Sequence, residues 1–350
     1  MKQGDYPPHS LLQFKQETDL FILNFETSVA NEGFSKIKKV GPHLCCTEKV
    51  APFLKEAGVT AVTLANNHTM DYGAEGLSLT MNLLKNNGIE IVGAGHNQED
   101  ANRILYLRQG KESVAIINCC EHEFSYAEAN KAGTNALNPI KQYYSIKEAK
   151  NNADYVVVIV HGGHEFFNLP SQRMVETYHF FVDAGAEAVI NHHQHCYSGF
   201  EYYKGKPIYY GLGNLCFDWP NKKPSFYIGY CVRLHMGKTV SSEELPYIQC
   251  KERPTIDYVE PKGFRDDLER LNLIIQNPEQ LQKENLAYYR KMGKDCKGVV
   301  TPFSNRYLNA LVRGGFLPTM ITQKKKMLWK AYIDCESHRD VMLRFLKDQT

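Results

Sequence analysis

No stretch of this chain is apolar for long enough to cross a bilayer. The longest strongly apolar run, Tyr155–Val160, falls far short of the roughly 20 residues a spanning helix needs. The opening MKQGDYPPHS has no apolar core, so no signal segment is read there and a cytoplasmic location is expected. An excess of one charge is also missing. With a formal net charge of +2 there is no global basic field to hold nucleic acid or an anionic membrane surface. Ten cysteines are present, but no Cys-x-x-Cys occurs and two pairs are adjacent, Cys45-Cys46 and Cys119-Cys120. That argues against a disulfide framework or a thiolate cage and for reduced thiols. Gly211-Leu212-Gly213-Asn214 lacks the third glycine of a dinucleotide loop, and no acidic residue follows at the cofactor distance. Internal repeats and low-complexity tracts are absent as well.

What is present looks like an ordinary globular enzyme, 43% hydrophobic and 23% charged over 350 residues. From Asp19 to about Leu234, β-rich apolar runs alternate with helical patterns, which predicts stacked βα units. The strand candidates are Asp19–Phe25, Val59–Leu64, Glu90–Val92, Ile104–Arg108, Ser113–Asn118, Tyr155–Val160, Ala186–Ile190, Pro207–Gly211 and Phe226–Leu234. Helices are expected over Thr47–Ala57, Ala74–Asn86 and Ser171–Ala184, each bounded by a start or stop signal. After Leu245 the character changes to charged stretches with helical spacing, Asp266–Ile275, Pro278–Met292, Asn305–Val312 and Lys324–Leu346. Two domains follow: an α/β domain over residues 1–245 and a helical extension over residues 246–350.

Polar residues recur where these strands end, which is where ligands bind in open α/β sheets. The first strand delivers Asn24 and Glu26, and the second Asn66, Asn67 and His68. Glu121, His122 and Glu123 follow the fifth, His161 and Glu165 the sixth, and Asn191, His192, His193 and His195 the seventh. Asn214 and Asp218 follow the eighth. In an extended segment His193 and His195 point to the same side. With His161, Asn67 and Glu26 they make a nitrogen and oxygen donor set suited to Zn, Mn or Fe, with one or two ions held. His68 is then placed to protonate a leaving group. One strand-end histidine alone is more often a satisfied half-buried side chain than a ligand; the recurrence is what argues for a shared site. For Glu121, His122 and Glu123 two readings stay open, capping of a helix from Ser125 onwards and contact with substrate or metal. Arg173 could reach an anionic substrate or sit in a surface ion pair. Lys324, Lys325, Lys326 and Lys330 read as a solvated helix face, and Cys120 and Cys196 as structural thiols rather than nucleophiles.

At these residues the sequence resembles the CapA family, the capsule and poly-gamma-glutamate synthesis proteins of the calcineurin-like metallophosphoesterase superfamily. The resemblance rests on Asn24-Phe25-Glu26, on Lys39-Val40-Gly41-Pro42, and on the block LANNHxxDYGxxGL at Leu64–Leu77. It continues through Cys120–Ser125, His161–Glu165, His192–His195 and Tyr210–Asn214. It implies a four-layer α/β/β/α sandwich with Glu26, Asn67, His161, His193 and His195 near metal and His68 as general acid. Asn24, Glu123, Glu165 and Asn214 would line the pocket. The family's usual first strand, which ends in Gly-Asp and supplies a ligand, has no clear counterpart, since no strand precedes Gly4-Asp5; its absence is therefore expected here.

The implied function is a metal-dependent hydrolase acting on a phosphoester or a gamma-glutamyl bond. Its partner would be an anionic substrate or a polyglutamate-like polymer. The rival reading is a non-catalytic polyanion-binding or synthase-partner subunit with a degenerate metal site.

Overall fold

Val, Ile and Ala alternate with residues facing the other way in three short parallel strands, β1 (Ile22–Asn24), β2 (Ala61–Thr63) and β3 (Glu90–Val92), hydrogen-bonded in the order β1-β2-β3. In a strand, alternate side chains take opposite faces. Here one face meets helices α1 (His9–Lys15), α2 (Val50–Glu56) and α3 (Gly73–Asn86) through Leu11, Phe14, Leu54, Leu77, Met81, Leu84 and Val62. The opposite face, with Ala61 and Val92, packs on a second sheet. The computed structural model describes residues 9–16, 18–39, 41–217, 224–249, 255–299, 305–319, 321–334 and 346. Gly4-Asp5 and Asp218 therefore lie outside the described residues.

That second sheet has six strands, β4 (Leu105–Gln109), β5 (Glu112–Cys120), β6 (Tyr155–His161), β7 (Ala188–His192), β8 (Phe200–Tyr203) and β9 (Lys206–Tyr209). Their order is β8-β9-β7-β6-β5-β4, with β5, β6, β7 and β9 parallel and the two edge strands antiparallel. The central strand β6 is a near-continuous apolar run, as a strand buried on both faces requires. Helices α4 (Pro139–Asn152) and α5 (Gln172–Ala184) belong to the same core through Ile146, Ala149, Met174, Tyr178 and Phe181. Ser171 caps α5 by accepting from the Met174 N–H, and Gly185 at φ 124° ends it. The layers run helix, sheet, sheet, helix, the α/β/β/α order expected.

A third antiparallel sheet, β10 (Ile228–His235), β11 (Ser241–Gln249) and β12 (Ile256–Asp257), joins both cores. Ile228, Tyr230, Val232 and Leu234 face the core of the six-stranded sheet, whereas Cys231, Leu245 and Tyr247 face that of α1 and α2. This is the same division of sides that β1 shows, with Ile22 against one core and Leu23 against the other. The β10 sheet thus lies in the layer of β1.

The compact unit runs from Met1 to Leu281, further along the chain than the composition change at Leu245. Helix α6 (Phe264–Ile275) is part of it because Phe264, Leu268, Leu271 and Ile275 are buried in the main core. Burial of that apolar face, roughly 1.5–3 kcal/mol per fully buried side chain, ties the segment to the sheets. The second unit, Gln282–Thr350, contains most of α7 (Pro278–Val299), then α8 (Arg306–Arg313) and α9 (Gln323–Asp334). No helix among the described residues is long and apolar enough to cross a membrane.

Candidate metal centre

Buried asparagines fix the loops that carry the candidate ligands. The Asn66 amide donates to the Phe25 carbonyl at 2.9 Å while its oxygen accepts from the His68 N–H at 3.1 Å, tying the Glu26 loop to the turn after β2. Asn191 does the same on the other sheet. It donates to the Gly162 and Tyr210 carbonyls and accepts from the Tyr178 hydroxyl at 2.7 Å. Buried amides with every group partnered act as rigid connectors, because losing one partner leaves a costly unsatisfied group.

His193 and His195 reach the site differently from expectation. Strand β7 stops at His192, and the next residues are not extended: His193 has φ 109° and His195 φ 55°. A turn in the left-handed region brings the two imidazoles together, their ring centroids 6.3 Å apart. Non-glycine residues pay about 1–3 kcal/mol for such backbone.

The ligand atoms of Glu26, His161 and His193 lie within 4.8 Å of one another. His161 Nε2 is 3.1 Å from Asn67 Oδ1, 3.1 Å from His193 Nδ1 and 3.8 Å from Glu26 Oε1. His195 Nε2 is 3.7 Å from the same Glu26 oxygen. One imidazole proton cannot satisfy all the acceptors gathered around His161 Nε2. Glu26 Oε1 is buried without a hydrogen-bond partner among the described residues. Burial, reinforced by the neighbouring histidines His193, His192, His195 and His68, pushes the His161 imidazole well below its usual range, so it is neutral and offers a lone pair. Converging lone pairs, a partnerless buried carboxylate oxygen and too few protons are the donor chemistry of a divalent cation site. The residues present fit such an ion, with Asn67 and His195 at its edge.

His68 is held by two residues whose roles the sequence reading did not assign. Asp71 Oδ2 accepts a hydrogen bond from His68 Nδ1 at 2.7 Å and another from the Leu44 N–H at 2.6 Å; its Oδ1 pairs with Lys39. Both members of the ion pair are buried, with side chains 2% and 0% exposed for Lys39 and Asp71. Burial alone would raise the Asp71 carboxyl, but the bonds from His68, Lys39 and Leu44 outweigh it and hold it below the ordinary range. An ionised acceptor at Nδ1 directs His68 Nε2 away from Asp71. The three-residue spacing from His68 to Asp71 was the available signal.

The remaining candidates divide. Asn214 accepts from His195 Nδ1 at 2.9 Å and donates to the His195 and Phe226 carbonyls, so it orients a ligand instead of presenting a free amide. Asn24 donates to the second Glu26 oxygen at 3.3 Å. Glu123 Oε1 is 3.6 Å from His193 Nε2. No helix begins at Ser125: the chain there makes short bridges, Tyr126 with Thr134 among them, so the capping reading falls. Arg173 pairs with Glu121 at 2.5 Å. Glu165 is exposed on the loop after β6 and is not drawn into the cluster.

Fold and site together define a layered α/β protein with an imidazole and carboxylate centre at its strand ends. The chain belongs to the bacterial capsule synthesis protein PGA_cap family, whose model matches residues 2–219. It is 36% identical over 239 residues to the capsule biosynthesis protein CapA of Bacillus anthracis, covering 65% of this chain and 58% of that one. With the PGA biosynthesis protein CapA of Bacillus subtilis (strain 168) it shares 32% identity over 218 residues, 61% of this chain and 57% of that protein. The chain thus spans little more than half the length of these curated relatives. A solved structure of a putative 5'-nucleotidase from Staphylococcus aureus overlaps at a TM-score of 0.46 and 16% identity, covering 77% of this chain and 52% of that one.

Proposed function

We propose that this chain is a metal-dependent hydrolase serving capsule or poly-gamma-glutamate synthesis, cleaving a phosphoester or a gamma-glutamyl bond in an anionic substrate. The observation that supports it most is the convergence of His161 and His193 on Glu26, whose buried Oε1 has no hydrogen-bond partner among the described residues. Glu26, His161 and His193 would hold a divalent ion, Mn, Fe or Zn, with Asn67 and His195 alongside. When bound, such an ion supplies Lewis acidity and lowers the pKa of water. Asn24 and Asn214 keep Glu26 and His195 aimed. His68, oriented through Nδ1 by Asp71, presents Nε2 for proton transfer to the leaving group. The names of the CapA relatives point to the polymer context.

Metal analysis of the purified protein tests the reading. Stoichiometric Mn, Fe or Zn that disappears in a His193→Ala, His195→Ala double variant supports it, as does divalent-dependent cleavage of a phosphoester or gamma-glutamyl peptide. A folded chain that takes up no metal but still binds polyglutamate would replace the enzyme with a polyanion-binding subunit.

A further inference from the structure

Helix α6 carries two polar residues on the face it turns to the core. Phe264, Leu268, Leu271 and Ile275 recur at the three- and four-residue spacing that makes one stripe of a helix, and all four are buried in the main core. Asp267 and Asn272 fall on the same face, three residues after Phe264 and four after Leu268. Each meets a group from the segment that follows His195. The Tyr197 hydroxyl donates to Asp267 Oδ2 at 2.8 Å, and the Phe200 N–H donates to Asn272 Oδ1 at 2.7 Å. Arg270 donates to the other Asp267 oxygen at 2.7 Å while Oδ2 serves Tyr197. The Tyr197 ring packs on Phe264 with centroids 5.3 Å apart. Gly199 lies so close to the helix that a Cβ there would stand 2.6 Å from Asn272 Oδ1.

The residue between these contacts is held from the other sides. Ser198 donates its N–H to the Gly211 carbonyl at 2.9 Å and its hydroxyl to the Asn168 carbonyl at 2.8 Å, and its own carbonyl accepts from the Tyr230 hydroxyl at 2.9 Å. Immediately upstream, His193 and His195 occupy the left-handed region at φ 109° and 55°. Such backbone persists in non-glycine residues only where the surroundings over-determine it. The grip of α6 begins two residues after His195 and supplies part of that restraint.

We propose that, with Glu26, His161 and His193 read as an ion site, α6 is a positioning element of that site: Asp267 and Asn272 hold the turn that presents His193 and His195. Ion affinity then depends on a helix beyond residues 2–219, the span that the family model matches. Outer partners that orient a ligand typically change metal affinity by about 10–100-fold. A helix that only fills the core would change stability and leave affinity alone.

Calorimetric titration of the chelator-stripped intact chain with zinc, and with manganese, tests this. Tyr197→Phe keeps the ring and removes the hydroxyl; Asn272→Leu keeps the volume and removes the acceptor. Each should weaken ion binding by at least about tenfold, whereas Asn272→Asp, which retains an acceptor for the Phe200 N–H, should stay within about threefold of the parent. Ser113→Ala, which removes a hydroxyl from the Asp154 carboxylate at the far end of β5, should leave affinity unchanged. In the metal-free proteins, the amides of residues 195–200 should exchange at least about tenfold faster in Tyr197→Phe and Asn272→Leu, after division by any change in the β6 amides. Variants that bind as tightly as the parent, a turn that exchanges no faster, or Asn272→Asp as weak as Asn272→Leu would each overturn the role given to α6 while leaving the ion site standing. A parent chain that takes up neither ion overturns the ion site itself, and the role of α6 with it.

Discussion

Replacing Asp71 by Asn changes almost no volume and isolates the charge. Asp71 serves three donors at once: Lys39, the His68 imidazole and the Leu44 N–H. An asparagine offers one acceptor and one donor, so its NH₂ must face either the Lys39 ammonium or the His68 and Leu44 donors. Lys39, whose side chain is only 2% exposed, loses its counter-charge. Breaking a buried ion pair from one side costs about 3–5 kcal/mol, a large share of the roughly 5–15 kcal/mol that holds a domain together. Urea unfolding of the metal-free protein, followed by circular dichroism, should show that loss for Asp71→Asn. Lys39→Met combined with Asp71→Asn should recover most of it, because no unpaired buried charge remains. A loss below about 1 kcal/mol in the single variant, or a double variant no better than it, would refute the pairing.

Metal-free protein should lose stability as pH falls below the ordinary histidine value of 6.5, because His161 in the folded state is held well below it while the unfolded chain takes up the proton. His161→Gln should flatten the stability–pH slope between pH 6.5 and the folded value by up to about 1.4 kcal/mol per unit, one proton's worth, as read from unfolding curves at several pH values. Gly93→Ala should cost about 2–4 kcal/mol in urea unfolding: φ is 92°, and an added Cβ collides with the Asn118 amide that accepts from the Ala65 N–H.

The sequence exposed the parts of this fold that follow simple periodicities. The central strands carry long β-branched runs, and Ser171 with Gly185 marks both ends of α5. Helix α4 escaped because its buried face includes Gln142 and Ser145, which blur the apolar stripe. Strand β11 escaped because it opens with SSEE and contains Pro246, tolerated only because that position does not bond to Tyr230. At the site, residue types at strand ends were enough to nominate Glu26, Asn67, His161, His193 and His195. Asn214 was expected as pocket lining, but its engagement with His195 was not legible, because it crosses nineteen residues of sequence and depends on a tertiary turn. Lys39 and Asp71 lay inside recognisable blocks, but their pairing also depends on a long-range approach.

The turn after β7 carries the least predictable feature and the sharpest test of whether the site is built for a ligand. A protein under selection for stability alone would place glycine at φ 109°, yet His193 occupies it. At ordinary positions glycine is less stable than alanine by roughly 0.5–1 kcal/mol. At this φ the order inverts, because an alanine Cβ retains the backbone strain of about 1–3 kcal/mol that glycine releases. His193→Gly should therefore be more stable than His193→Ala by about 1–2 kcal/mol in urea unfolding of the metal-free protein, while both bind metal more weakly than the parent. An alanine variant as stable as the glycine one would show that the backbone is unstrained, and histidine at this position would then need no functional explanation.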